Sequence, residues 1–229
     1  MVVDTRLASR IETVRRQIDD AAALSGRDPA SVTLVAVSKT VEWPAIREAY
    51  DLGLRHFGEN RVQSARARIP IDHPADLILH LIGQLQTNKA GHALDLFDVI
   101  ESVDRPSIVA ELNKQAARRD RIVPILLQVN IAGEAQKAGC SIDDAKPLVH
   151  EIEQAANLRL DGLMTIAPLV EDAELARPVF RGLRELRDRL AADLGHDLNV
   201  LSMGMSNDYP VAVQEGATMV RVGRAIFAE

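Results

Sequence analysis

Ser31-Val-Thr-Leu-Val-Ala-Val-Ser-Lys39-Thr40 is a run of β-branched and apolar residues that ends abruptly in a lysine and a threonine. A run this short and this apolar reads as a strand covered on both faces, as in a parallel sheet. Side chains alternate along a strand, so Thr33, Val35, Val37 and Lys39 share one face, and the lysine continues an apolar surface at the strand's end. Burial lowers an amine's pKa from about 10.4, and a neutral amine is what a Schiff base with a carbonyl requires. The competing reading ends the strand at Val37 and leaves Lys39 solvated or salt-bridged.

Outward from this strand the chain alternates. A helix from Thr5 to about Ser25 precedes it, with Leu7, Ile11, Val14 and Ile18 at helical spacing and Gly26 as the stop. Trp43–Leu52 reads as a helix with Pro44 in its first turn and Gly53 at its end. Strands follow at Arg55–Asn60, Leu77–Gly83, Leu96–Ser102 and Ile122–Ile131, and helices at Arg61–Ile69, Asn88–His92 and Arg105–Arg119. A glycine-containing loop, Ala132–Gly139, leads to a helix at Ile142–Ala156 and a strand at Leu160–Ala167. The series closes with a helix at Asp172–Leu194, a strand at Asn199–Met205, a short helix at Asp208–Glu215 and a last strand at Thr218–Gly223. Strand–helix alternation means right-handed βαβ units and a parallel sheet. Eight such units behind one extra helix, with no linker to divide them, predict a single (β/α)8 TIM barrel domain over residues 1–229. The rival, an open doubly wound sheet, normally carries G-x-G-x-x-G after its first strand, where this chain has Ser38-Lys39-Thr40.

Composition bounds the function. Aromatic residues are only 3% against 47% hydrophobic, so the core is aliphatic, which suits α/β layering. A net charge of −6 without a Lys/Arg run argues against a nucleic-acid surface. The one cysteine, Cys140, excludes an internal disulfide framework and suits a reducing cytosol. No apolar run reaches about 18 residues, and the N-terminus, with Asp4 and Glu12, lacks a signal-peptide core. The expectation is a cytoplasmic protein without a membrane span.

In a barrel, chemistry belongs at the C-terminal ends of the strands. Lys39, Asn60, Gly83-Gln84, Met205-Ser206 and Arg221–Gly223 stand there. Loops after strands 7 and 8 frequently bind phosphate through backbone N–H groups and a helix start. Ser202-Met-Gly-Met-Ser206-Asn-Asp208 and Val220-Arg-Val-Gly223-Arg224 have the small, capping and cationic residues this needs, although ordinary helix capping uses the same types. An imine-forming lysine beside a phosphate cradle leaves two readings: pyridoxal 5'-phosphate, or a Schiff-base aldolase acting on a phosphosugar. A lysine on strand 1 favours the first.

These motifs carry a resemblance. Val35-Ala-Val-Ser-Lys39-Thr, Phe57-Gly-Glu-Asn60-Arg-Val-Gln63, His80-Leu-Ile-Gly-Gln-Leu-Gln-Thr-Asn-Lys89, Gly162-Leu-Met-Thr165, Leu201-Ser-Met-Gly-Met-Ser206-Asn-Asp208 and Val220-Arg-Val-Gly223 resemble the pyridoxal phosphate homeostasis protein family. That family is related to the N-terminal barrel of alanine racemase. The resemblance runs from about residue 32 to the C-terminus and departs at Ile226-Phe227-Ala228, where the family ends in Ile-Phe-Gly. It implies pyridoxal 5'-phosphate on Lys39, Asn60 near the ring, and Ser206, Arg221 and Gly223 near the phosphate, with Met203 in the same site.

A racemase needs a base on each face of the carbanion. The chain stops soon after strand 8, so no second domain is expected, and its tyrosines are Tyr50 and Tyr209 only. Tyr209 follows strand 7 and is the one candidate, with packing the better reading. The expectation is therefore a monomeric carrier that binds the cofactor, takes part in vitamin B6 homeostasis and meets apo-enzymes transiently, with little or no turnover; a racemase-like enzyme is the alternative. Lys137, on the loop after strand 5, is a candidate for a second anion or for the aldehyde in transit, against a solvated loop lysine. His80 reads as a core or supporting histidine, and Cys140 receives no role.

Overall fold

The computed structural model describes residues 5–134 and 137–228; Asp4 and the middle of the loop expected at Ala132–Gly139 lie outside them. Eight strands pair in chain order, all parallel, and the last pairs with the first: β1 (Thr33–Val37), β2 (His56–Glu59), β3 (Ile78–Leu81), β4 (Val99–Val103), β5 (Val123–Gln128), β6 (Leu158–Met164), β7 (Val200–Met205) and β8 (Met219–Val222). The closing register sets Thr33 against Met219, Val35 against Arg221 and Ala36 against Val222. Closure leaves no edge strand to protect. The chain is thus a (β/α)8 barrel with an extra helix in front.

Around it stand α1 (Thr5–Leu24), α2 (Trp43–Asp51), α3 (Val62–Arg68), α4 (Ala90–Leu94), α5 (Pro106–Ala117), α6 (Ile142–Glu153), α7 (Arg177–Leu194), α8 (Tyr209–Gln214) and α9 (Arg224–Phe227). Pro44 and Pro106 fall in first turns, where a missing N–H costs nothing, and α7 ends at Gly195 in the left-handed conformation, φ 74°. The leading helix α1 packs on α8 and α9, covering the seam where the barrel closes. Among the described residues no helix is long and apolar enough to cross a membrane.

Alternation along the strands sorts the core into two populations. Ala36, Phe57, Leu79, Leu127, Leu163 and Leu201 pack with the helices in one aliphatic cluster. Their strand neighbours Val35, Leu126, Met164 and Met219 are buried outside that cluster, facing the barrel axis. The same inward positions also carry His56, His80, Glu101, Ser202 and Arg221, so the interior is part aliphatic and part polar.

Strand ends differ from the periodicity. Strand 1 stops at Val37: Ser38 already belongs to a turn, its carbonyl accepting from Val41 N–H at 2.8 Å. Lys39 sits in that turn and is exposed, so it does not continue a buried strand face. Strand 4 begins at Val99 rather than Leu96, and strand 5 ends at Gln128 rather than Ile131. The apolar residues outside them still pack, but from loops.

One electrostatic staple fastens the base of the barrel. Glu215, at the end of α8, accepts from Arg177 and Arg181 of α7 at 3.0 and 2.9 Å, and Arg184 lies 3.2 Å away. Burial works against the carboxylate, but these guanidinium groups outweigh it and hold its pKa below the usual range. Removing one partner of a well-buried pair costs 3–5 kcal/mol; with the arginines part-exposed, Glu215→Gln should cost about 2 kcal/mol at neutral pH. A depressed carboxyl stabilises above its unfolded pKa of about 4.3 and loses that contribution as pH falls through its folded value, so in urea denaturation the gap between variant and parent should shrink below about pH 4.

Candidate functional site

At the C-terminal ends of the strands a cavity of about 850 Å³ opens, within the range of small-molecule sites. Lys39 reaches it from the turn after β1, Asn60 from the residue after β2, and Ser206 and Gly223 from the ends of β7 and β8. Val37, Ile82 and Met205 form apolar walls, and Ile166 and Leu169 lie at an exposed rim. Among the described residues nothing hydrogen-bonds to or ion-pairs with the Lys39 amine.

The floor is polar and fully committed. Arg221 is only 3% exposed; its Nη1 donates to Ser202 Oγ at 2.5 Å and its Nη2 to the Thr165 carbonyl at 2.7 Å. Ser202 Oγ in turn donates to Glu101 Oε2 at 2.6 Å, and Arg221 lies 4.0 Å from the same oxygen. On its other side Glu101 Oε1 meets His80 Nδ1 at 2.7 Å, and His80 Nε2 meets His56 Nδ1 at 2.9 Å. A carboxylate only accepts, so His80 donates from Nδ1; in its neutral form His80 then accepts at Nε2, which makes His56 the donor there. Burial alone would raise the Glu101 carboxyl, but the His80 bond, the Arg221 charge and the Ser202 hydroxyl prevail and hold it below the ordinary carboxylate range. The Arg221 guanidinium is weakened by burial, with Glu101 and Asp208 opposing. Arg221 therefore faces the cavity with two donors already spent inward.

The β7 end is shaped by backbone. Gly204 has φ 93°, and a Cβ there would meet Ala212 Cβ at 2.6 Å, so the strand can turn this sharply only with glycine. The turn that follows is closed on itself: Met205 N–H donates to Asp208 Oδ1 at 2.6 Å and Asp208 N–H to the Met205 carbonyl at 3.0 Å. Burial raises the Asp208 carboxyl despite the Met205 bond and the Arg221 charge. Across this turn, Gly223 N–H and Ala225 N–H both point at Ser206 Oγ, at 3.3 and 3.4 Å. These are long bonds, so two backbone donors converge on an oxygen at the cavity wall that they hold loosely. A Cβ on Gly223 would stand 3.2 Å from both Val37 Cβ and the Val37 carbonyl oxygen, which seats this corner directly against the end of β1.

Of the residues expected from sequence, Lys39, Asn60, Ser206, Arg221 and Gly223 line this one cavity. Met203 does not: it is fully buried in the cluster facing the helices, because it occupies the outward alternate of β7 beside inward Ser202. Tyr209 points away as well, its hydroxyl bonded to Gln17 of α1 behind the barrel, which removes it as a base at the mouth. Lys137 does line the cavity and pairs with Glu134 at 3.1 Å. His80 is the supporting histidine its position suggested. Cys140 is buried and its thiol is pushed up to about 12 by burial, with Asp104 and Asp144 adding to it, so it stays unreactive. Sequence reading missed Glu101 and His56, and quoted Ser202 only as part of the loop motif, without its bond to Glu101. Only an acidic residue inside an apolar strand, Val99-Ile-Glu101, marked the first of them.

The alanine racemase N-terminal domain family matches residues 11–229. The pyridoxal phosphate homeostasis protein of Aquifex aeolicus is 40% identical over 220 residues, 96% of either chain. That of Pseudomonas aeruginosa is 42% identical over 221 residues, 96% of this chain and 94% of its own. PipY of Synechococcus elongatus, whose structure was solved with PLP bound, is 40% identical with a TM-score of 0.83, over 97% of this chain and all of its own.

The contact between half-buried His56 and buried His80 makes stability depend on pH. Burial, then neighbouring His80, lowers His56 to about 4. A histidine depressed in the folded state leaves the unfolded chain with the extra proton between about pH 6.5 and the folded value, so stability falls as pH drops through that window. Urea denaturation should register a loss of about 2 kcal/mol across it, and His56→Gln should flatten most of that slope.

Proposed function

This chain belongs to the pyridoxal phosphate homeostasis protein family, within the wider set built on the alanine racemase N-terminal domain. On that premise we propose that it binds pyridoxal 5'-phosphate at the barrel mouth, holds it through Lys39, and serves vitamin B6 homeostasis in the cytoplasm with little or no amino-acid turnover. The observation that carries this reading is that the Lys39 amine and the Ser206–Gly223 corner share one cavity, because β1 and β8 are hydrogen-bonded neighbours.

The residues present fit the cofactor. Two backbone N–H groups, the Ser206 hydroxyl and a glycine at which an added Cβ would crowd Val37 at 3.2 Å suit a phosphate. Val37, Ile82 and Met205 suit the faces of a flat ring, with Asn60 and Arg221 as polar neighbours. Bound there, the cofactor would supply an aldehyde, the group with which a lysine amine condenses with loss of one water. The exposure of Lys39 leaves its amine open to an aldehyde entering from solvent. Met203 enters this reading only as packing behind Ser202. The tie of Tyr209 to Gln17 supports a holding role over racemisation, since no tyrosine faces Lys39 across the cavity. Delivery to apo-enzymes by a monomer completes the proposal.

Purified protein mixed with pyridoxal 5'-phosphate should develop a near-visible absorbance band, and borohydride reduction should fix the cofactor's mass on the peptide containing Lys39. Lys39→Ala should abolish both and weaken retention by about ten-fold or more, leaving the phosphate-directed contacts alone. An unchanged band in Lys39→Ala, or none in the parent protein, sinks the reading.

A further inference from the structure

The turn that carries Lys39 is held from behind by residues that never touch the cavity. Ser38 spends every polar group it has. Its N–H donates to the Gly58 carbonyl at 3.0 Å, its carbonyl accepts from Val41 N–H at 2.8 Å, and its hydroxyl donates to Glu59 Oε1 at 2.6 Å. Arg68, the last residue of α3, then ties the turn at both ends: its Nη1 donates to the carbonyls of Ser38 and Val41 at 2.9 and 2.7 Å. Its Nη2 donates to Glu59 Oε2 at 2.7 Å. Glu59 is fully buried on the outward side of β2, and the Arg68 side chain is 13% exposed.

This arrangement exceeds what a four-residue turn needs. A β-turn closes with one bond, from residue i+3 to residue i. Here a planar guanidinium bridges the first and fourth carbonyls and a buried carboxylate, a three-way contact that a lysine's compact ammonium cannot reproduce. A charge pair taken out of water gives little net stability. What it does give is a fixed backbone orientation at the corner, Lys39, whose own side chain has no partner among the described residues. Imine formation depends on the direction from which the amine meets a carbonyl held by its phosphate some distance away, and displacements of about 1 Å cost orders of magnitude in such geometries.

Resting on the Lys39 reading above, we infer that Arg68 and Glu59 are positioning residues: they orient the Ser38–Val41 turn so that Lys39 captures the aldehyde of a ligand anchored at the Ser206–Gly223 corner. They touch neither the ring nor the phosphate.

The test compares two ligands on the full chain: pyridoxal 5'-phosphate, and pyridoxine 5'-phosphate, which has the same ring and phosphate but no aldehyde. Two variants are used, Arg68→Lys, which keeps a cation opposite Glu59, and Arg68→Met with Glu59→Gln, which avoids stranding a buried charge. Equilibrium dialysis should show affinity for the aldehyde form falling about ten-fold or more, while affinity for pyridoxine 5'-phosphate stays within about two-fold. The borohydride-fixed fraction at Lys39 should fall in parallel. If the double variant does not fold, Arg68→Lys alone decides. Equal losses for both ligands would mean general loosening of the site, and no loss for either would mean the clamp is idle; either result overturns the inference while leaving the Lys39 reading intact. A parent protein that binds neither ligand overturns both.

Discussion

Everything at the mouth of this barrel depends on the hydrogen bonds that join its first strand to its last. The pairing of β1 with β8 seats Gly223 against Val37 and brings the only cavity-lining arginine of the closing strand beside the turn that bears Lys39. A parallel closure of this kind is entropically expensive, since it fixes the two ends of the strand series together. The return is geometric. Loops on separate elements would drift relative to one another, whereas two strand ends bonded side by side hold the turn after β1 and the Gly223 corner in fixed relation.

The interior of the barrel carries the second constraint. Val35, Leu126, Met164 and Met219 fill part of it, and the rest is a chain of polar contacts from His56 through His80, Glu101 and Ser202 to Arg221. Each buried member has a partner, which is the condition for such a network to be tolerated in a low-dielectric interior. Its effect is to fix the guanidinium of Arg221 at the cavity floor, pinned between Ser202 and the Thr165 carbonyl. A hydrophobic interior of equal volume would support the fold as well but could not hold a charged group still at that depth.

A similar division of labour appears at the mouth. Lys39 is exposed and has no partner among the described residues, and the rigidity belongs to its neighbours: Ser38, saturated on all three polar groups, and Arg68, spanning the turn from outside. At the opposite corner Asp208 and Met205 close their own turn in the same reciprocal way. In both places short hydrogen bonds within and behind the turn fix the backbone that borders the cavity.

Strand–helix alternation, proline and glycine punctuation and the aliphatic runs determined the barrel and the end of it at which the cavity opens, because period-2 and period-3.6 patterns are local properties of the chain. Five of the six residues expected at the site line one cavity for the same reason: each follows the end of a strand or lies within its last two positions. Met203 fails because alternation through β7, once Ser202 is seen to face Glu101, sends it toward the helices; the phase of that strand depends on a partner about one hundred residues away. For Lys39 the sequence left two readings open, and the one that ends the strand at Val37 holds, since β1 stops where Ser38 finds Glu59 and Arg68, groups contributed by the next strand and helix. The interior relay and the clamp are made of residues that look ordinary one at a time. Only the closed barrel brings them within hydrogen-bonding distance, and hydrogen bonds a few ångströms long have no periodicity for a sequence to display.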